Sequence, residues 1–365
     1  MTIGVIKEAS DHRIALMPTG VKKLVDQQVK IIVERGAGLA SNANDDAFSA
    51  AGATVTDRKT VLQESDLLLS IHPPEDADLD QLKKGSILVA LFAPFEDAGV
   101  GDKLHERGLR AFSLDMIPRS SLAQAMDVLS SMASIAGYRA VLTAAMELPR
   151  YFPMMITAAG TIKPAKVLVL GAGVAGLQAI ATAKRLGAQV EASDVRLAAK
   201  EEVESLGAQF IQVEGATEDA DAGGYAVAQS EDFLQRQREE VARRAAKSDV
   251  IITTAQVRGR KAPVLVSQET VEQMRPGSVI IDLAASSGGN CALTEDGKVV
   301  DHQGVKIYAA SSLPATLPED ASTLFSNNMV NFVLLLLDDG KLSENLDHEI
   351  LSASLITPAT PVAQN

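Results

Sequence analysis

Three glycines and one aspartate are the residues whose types and spacing point most directly to chemistry. Gly171-Ala172-Gly173-Val174-Ala175-Gly176 follows the apolar run KVLVL and opens the stretch LQAIATAKRL. A glycine-rich turn between a strand and a helix is the context that dinucleotide binding requires. Gly171 permits the tight turn, Gly173 has no Cβ to hold a pyrophosphate away from the backbone, and Gly176 lets the helix pack close to the strand. The helix start offers N–H groups and a partial positive charge to phosphates. Asp194 ends the next strand-like run, VEASD, eighteen residues after Gly176. A carboxylate there accepts hydrogen bonds from the adenine-ribose hydroxyls and repels a 2′-phosphate, which favours NAD(H) over NADP(H). Val195 follows it, and Arg196 offsets part of its charge. Other reactive groups are sparse. The five histidines (His12, His72, His105, His302, His348) lack metal-ligand spacing. The single cysteine, Cys291, excludes an intrachain disulfide framework and a multi-cysteine zinc site, and fits a reducing compartment. No metal is expected.

The elements that must position these residues alternate along the chain. Residues 3–6, 29–34, 67–71, 87–91 and 110–114 read as short buried strands, with a helix opening at Pro18 and further helical segments between them. Residues 130–148 form an Ala-rich connecting helix. A second alternating block has strands at 166–170, 189–193, 250–254, 278–283 and 305–309 and a helix at 176–186. The stretch 288–304 reads as a hairpin turning at Asp296-Gly297. Residues 322–337 form a closing apolar helix that returns to the first domain, and the tail ITPATPVAQN reads as unstructured. The pattern predicts an α/β protein of two Rossmann-like domains with parallel wound sheets, the second binding the nucleotide. The expected division is 1–129 plus 318–365, and 130–317.

Composition agrees with that class. The chain has 365 residues, 46 % hydrophobic and 22 % charged, enough to build a core. Its 34 Lys and Arg against 47 Asp and Glu give a formal charge of −13, which excludes an electrostatic footprint for nucleic acid. The start MTIGVIKEASDHR lacks the basic-then-apolar layout of a secretory signal. Two apolar runs, 167–183 and 329–337, are too short to span a bilayer, so the chain is expected not to cross a membrane itself.

Longer stretches carry a resemblance: PRSSLAQAMDVLSSMASIAGYRAV (118–141), FPMMITAAGT (152–161), GAGVAGLQAIATAKRLGAQVEASDVR (171–196), KEEVESLGAQF (200–210) and PGSVIIDLA (276–284). With KEASDHRIALMP near the start, the chain resembles the NAD(H)-binding component of the proton-translocating nicotinamide nucleotide transhydrogenase family, itself related to alanine dehydrogenase. The resemblance covers nearly the whole chain. It implies that a loop bearing Arg119, Gln124, Asp127 and Ser130 closes over the nicotinamide end of the cofactor, with Asp127 and Ser130 fixing the carboxamide. Arg119 reaches the carboxamide or pyrophosphate, and Gln124 points toward a second nucleotide on a partner. It further implies a mobile lid around Gly224 and Tyr225, and a cofactor lining that includes Gln237, Ala255 and Gln256, the last through its backbone. NADH is then expected in the cleft between domains. Hydride passes directly to NADP(H)'s oxidised form on a separate component, and proton movement belongs to a membrane-spanning component. A homodimer, with the 288–304 hairpin as its candidate contact, and a cytoplasmic position peripheral to the inner membrane are implied as well. The chain would be a split-gene subunit or the soluble portion of a longer one.

Two alternatives remain at this level. An alanine-type dehydrogenase carries a Lys, a His, an Asp and an Arg around the nicotinamide. Here the corresponding positions hold His72, Ala93 and Ser286, and only Arg13 is retained. Direct transfer between two nicotinamides needs no general acid or base, only two aligned rings. A non-catalytic NAD-sensing module is the other alternative, although such a module has no need of the Arg119, Gln124, Asp127 and Ser130 set.

Overall fold

The computed structural model describes residues 1–212, 231–338, 340–343 and 347–358, the side chains of 231–234 excepted. The chain forms two compact units, Met1–Met132 with Pro314–Asn365, and Ala133–Leu313.

The first unit is built on six parallel strands, β1 (Thr2–Val5), β2 (Lys30–Glu34), β3 (Thr54–Thr56), β4 (Leu67–Leu69), β5 (Ile87–Ala90) and β6 (Arg110–Ser113), in the order β3-β2-β1-β4-β5-β6. Strands β4 and β5 are buried along their whole length, as expected of a parallel sheet covered on both faces. The helix Pro18–Val25 starts at a proline whose fixed φ suits the first helical position. The helix Pro318–Leu336 packs on it. Ile14 N–H donates to Ser322 Oγ and Met17 N–H to Ser326 Oγ, both at 2.9 Å, and Phe332 meets Phe112 edge-on at 5.8 Å. The expected unstructured tail is ordered at its start. Leu355 bridges Phe112, Ile356 N–H donates to Ala111 O at 3.0 Å, and Ala111 N–H donates to Thr357 Oγ1 at 3.3 Å. The open edge of β6 offers those backbone groups, and composition does not reveal that. Residues 359–365 lie outside the described residues.

The second unit contains an antiparallel pair, β7 (Met155–Thr157) and β8 (Gly160–Ile162), and a seven-stranded sheet. Its strands are β9 (Lys166–Leu170), β10 (Gln189–Ser193), β11 (Gln209–Phe210), β12 (Val250–Thr253), β13 (Val279–Asp282), β14 (Val299–His302) and β15 (Val305–Ala309). The order is β11-β10-β9-β12-β13-β15-β14, with only β14 antiparallel to its neighbour. The hairpin turns at Gln303-Gly304, where both residues have positive φ (52° and 81°). That is the backbone a tight two-residue hairpin demands. Asp296-Gly297 is a separate turn leading into β14, so the hairpin predicted to turn there is displaced toward the C-terminus.

The helix Val128–Glu147 supplies Ala140, Val141 and Ala144 to the core of this unit. A Cβ on its Gly137 would sit 2.1 Å from Ala175 O, so glycine there lets this helix approach the backbone at the glycine-rich turn. Among the described residues it is also the one helix long and apolar enough to cross a bilayer by length and composition. The two apolar runs singled out in the sequence lie elsewhere. The helix carries Tyr138 exposed and Arg139 half-buried.

Candidate functional site

The site of the second unit begins where β9 ends. Gly171 has φ +102°, a conformation that favours glycine, and a Cβ there would lie 2.4 Å from Thr254 Oγ1. A Cβ at Gly176 would lie 1.9 Å from Gly171 O, so this glycine is required for the turn to close on itself. Gly173 differs from both: its φ is ordinary, and a Cβ would meet nothing within 4 Å. Nothing in the fold requires glycine at 173, whereas a ligand approaching the backbone would. The helix Val174–Arg185 starts here with no side-chain cap. Its first N–H groups have no intrahelical acceptors and form an anion site.

Asp194, at the end of β10, takes part in a tight local network. Its Oδ2 accepts from Ala172 N–H at 2.7 Å and from Arg196 NH2 at 3.0 Å. Its Oδ1 accepts from Arg196 N–H at 2.8 Å and from Arg196 Nε at 3.0 Å. Burial pushes this carboxyl up, but the hydrogen bonds from Arg196 and Ala172 outweigh it and hold the group below the usual carboxylate range. It is therefore ionised at neutral pH. The Arg196 guanidinium occupies the lone pairs that ribose hydroxyls would take, so binding must exchange one set of donors for the other. Val195 between them is half-buried.

Opposite the glycine turn is the end of β12. Thr254 N–H donates to Leu170 O at 2.8 Å, and Thr254 Oγ1 donates to Gly171 O at 3.1 Å. The next residue, Ala255, is held on both sides of its own backbone: Ala255 N–H donates to Asn290 Oδ1, and Asn290 Nδ2 donates to Ala255 O, each at 2.9 Å. Asn290 is fully buried, and its N–H donates to Asp282 Oδ2 at 2.8 Å. Asp282, also fully buried, accepts further bonds from Thr253 Oγ1, Ala284 N–H, Cys291 N–H and Thr294 Oγ1. Sequence reasoning misses Asp282 and Asn290. Their partners lie up to 35 residues away in sequence, and no spacing rule links them. Gln256 Nε2 donates to Leu283 O at 3.0 Å, so this side chain supports the β13 end. Gln237 is half-buried on the helix Glu231–Ala245. Gly224 and Tyr225 lie outside the described residues.

The loop bearing Arg119, Gln124, Asp127 and Ser130 belongs to the first unit. Arg119 and Gln124 are exposed, while Asp127 and Ser130 are half-buried and bonded to each other. Ser130 N–H donates to Asp127 Oδ1 at 2.9 Å and Ser130 Oγ to Asp127 Oδ2 at 2.6 Å, which caps the helix Val128–Glu147. Asn328 and Asn331 both donate to Ala125 O, at 2.9 and 3.0 Å, and fix the turn Gln124–Met126 from beneath. Ser120 Oγ is, among the described residues, the buried side-chain polar atom without a hydrogen-bond partner, a cost of about 1–3 kcal/mol.

The positions that matter for an amino-acid dehydrogenase lie in or near well-ordered contacts. Arg13 is buried, with Nε and NH2 on Asp11 at 2.5–3.0 Å and NH1 against Met132 Sδ at 3.1 Å. His72 Nε2 lies 2.9 Å from Asp11 Oδ2. Ala93 adopts a left-handed backbone (φ 48°), and Ser286 is exposed in a short turn, Ala285–Ser287.

Comparison with known proteins places this geometry among relatives. Residues 4–136 match the sequence family described as alanine dehydrogenase/PNT, N-terminal domain, and residues 140–365 match alanine dehydrogenase/PNT, C-terminal domain. The chain is 46 % identical over 369 residues to the first of the polypeptides that make up the NAD(P) transhydrogenase subunit alpha of Rhodospirillum rubrum, over 98 % of this chain and 96 % of that protein. It is 26 % identical to the alanine dehydrogenase of Bacillus subtilis, over 98 % and 91 % of the two chains. A solved structure of a transhydrogenase from Sinorhizobium meliloti is 40 % identical and matches with a TM-score of 0.90 over 98 % of each chain.

Proposed function

Because the chain belongs to the alanine dehydrogenase/PNT family, we propose that it is the NAD(H)-binding component of a proton-translocating transhydrogenase. The second unit holds the nucleotide. Gly173 and the uncapped start of Val174–Arg185 receive the pyrophosphate, and Asp194 receives the adenine ribose. The chemistry that NADH supplies when bound is a hydride for NADP⁺ held by a partner component, and proton movement belongs to a membrane component. The chain's own residues bind and orient. Asp127 and Ser130 fix the carboxamide, Arg119 supplies a planar set of donors, and the exposed Gln124 meets the partner's nucleotide. Homodimer formation and attachment to the inner membrane through those partners belong to the same reading.

One observation carries it. The glycine turn is open to a phosphate, while the positions that would run oxidative deamination have no free proton-transfer set. Arg13 is engaged by Asp11, His72 leans on the same carboxylate, and Ala93 and Ser286 bring no acid or base. Hydride exchange between two nicotinamides tolerates that poverty because it moves no proton at the reacting carbons.

The test mixes the chain with an NADP(H)-binding component and follows NADH-dependent reduction of an NADP⁺ analogue. Turnover is expected only when both are present. Gln124→Asn should leave NADH affinity within about twofold and slow transfer about tenfold or more. Alanine oxidation by the chain alone would establish the dehydrogenase instead. Tight NADH binding with no transfer in the presence of the partner would establish a sensing module.

A further inference from the structure

The backbone that faces the glycine turn is held by a residue too deeply buried to touch a ligand. Asn290 has no exposed surface, and its polar atoms are committed to neighbouring backbone. Its side-chain oxygen accepts from Ala255 N–H, and its side-chain nitrogen donates to both Ala255 O and Pro263 O, at 2.9, 2.9 and 2.8 Å. Its carbonyl accepts from Leu265 N–H and Val266 N–H, and its own N–H is anchored on Asp282. A carboxamide is the side chain that can accept from a peptide N–H and donate to the C=O of the same residue. Ala255 therefore has little rotational freedom, although it belongs to no strand.

We propose that Asn290, anchored by Asp282, is a positioning residue for the nucleotide site. It sets the place of the Thr254-Ala255 backbone against Gly171, and so the width of the crevice above β9 and β12. The link is short. Thr254 Oγ1 donates to Gly171 O, and the Cβ position of Gly171 lies 3.4 Å from Ala255 N. Loss of the amide clamp frees Ala255 to rotate, and the adjoining Thr254 contact with the glycine turn loosens with it. Asp282 is the fixed point of the arrangement. It gathers the N–H groups of Ala284, Asn290 and Cys291 and the hydroxyls of Thr253 and Thr294 around one carboxylate. The inference rests on the reading of the second unit as the NAD(H) site.

The experiment titrates NADH into the unmodified full chain, Asn290→Asp, Asn290→Ala and Thr294→Val, with a thermal midpoint measured for each. Thr294→Val removes a hydroxyl from Asp282 and leaves the Asn290–Ala255 clamp intact, so it reports what mere destabilisation does. NADH affinity should fall about tenfold in both Asn290 variants below their midpoints and stay within about twofold in Thr294→Val. Equal affinity in all four proteins, or equal losses in Asn290 and Thr294 variants of equal midpoint, would overturn the proposal. Should the Asn290 variants not fold, the unmodified chain still decides. The Asn290 side-chain amide resonances should move together with the Ala255 amide on NADH addition, and unmoved Asn290 resonances overturn the proposal. Absence of NADH binding by the unmodified chain would overturn the functional reading itself.

Discussion

The two sheets share a strand order, third-second-first-fourth, around the crevice where the winding reverses, yet they treat that crevice in opposite ways. Ligands of wound α/β folds bind at such reversal points, outside the carboxyl ends of the strands. In the first unit the crevice above β1 and β4 is filled from within. Glu8 puts its carboxylate on Ile71 N–H at 2.6 Å and His72 N–H at 3.2 Å, the groups a phosphate would otherwise use. Burial holds this carboxyl above the usual carboxylate range despite those bonds. In the second unit the crevice above β9 and β12 is walled by backbone, with Gly173 facing open space. Topology therefore supplies the place, and the first loop decides whether it is a socket or a plug.

The sharpest way to break this comparison is to fill the socket. Gly173→Val adds a side chain where the fold has room, so the thermal midpoint should stay within about 2 °C while NADH affinity falls about 100-fold or more. Gly176→Ala should do the reverse damage. Its Cβ would press on Gly171 O, and calorimetry should show the midpoint lowered by about 5 °C or more. A smaller effect is expected of Asp194→Asn. The ribose loses a charged acceptor and Arg196 loses its partner, so fluorescence titration should show NADH bound about tenfold more weakly and the margin over NADPH narrowed. The smallest effect belongs to the plug. Glu8→Gln should leave NADH affinity unchanged. Because Glu8 titrates above its ordinary 4.5 in the fold, its ionised form costs stability at neutral pH, and that cost disappears as pH falls through the folded value. The unmodified chain should therefore lose midpoint relative to Glu8→Gln as pH rises from about 5 to about 8, and parallel profiles would refute the role assigned to burial.

Much of the fold was legible because its strands are short apolar runs bounded by turn residues. Strands β9, β10 and β15 coincide with the predicted runs at 166–170, 189–193 and 305–309. What escaped had little apolar signal of its own. Strand β3 is three residues with two threonines, and β7 and β8 form a largely exposed pair. The hairpin was displaced because Asp-Gly is a strong turn signal wherever it stands, while Gln303 enters the left-handed region only under the pull of the β14–β15 pairing. At the site, the glycines and Asp194 announced themselves through spacing. The Asp194–Arg196 closure was visible only as two neighbouring charges, and Asn290 had no local mark, since its meaning lies in distant backbone groups that only folding brings to it.

Beside that clamp sits the chain's single thiol. Cys291 is buried, its N–H is bound to Asp282, and burial pushes its thiol up to about 11. A sulfur so placed is a poor nucleophile while the loop is shut. Its alkylation by iodoacetamide therefore keeps time for the loop, each labelled molecule marking one opening, and a nucleotide that seals the neighbouring crevice should slow the clock.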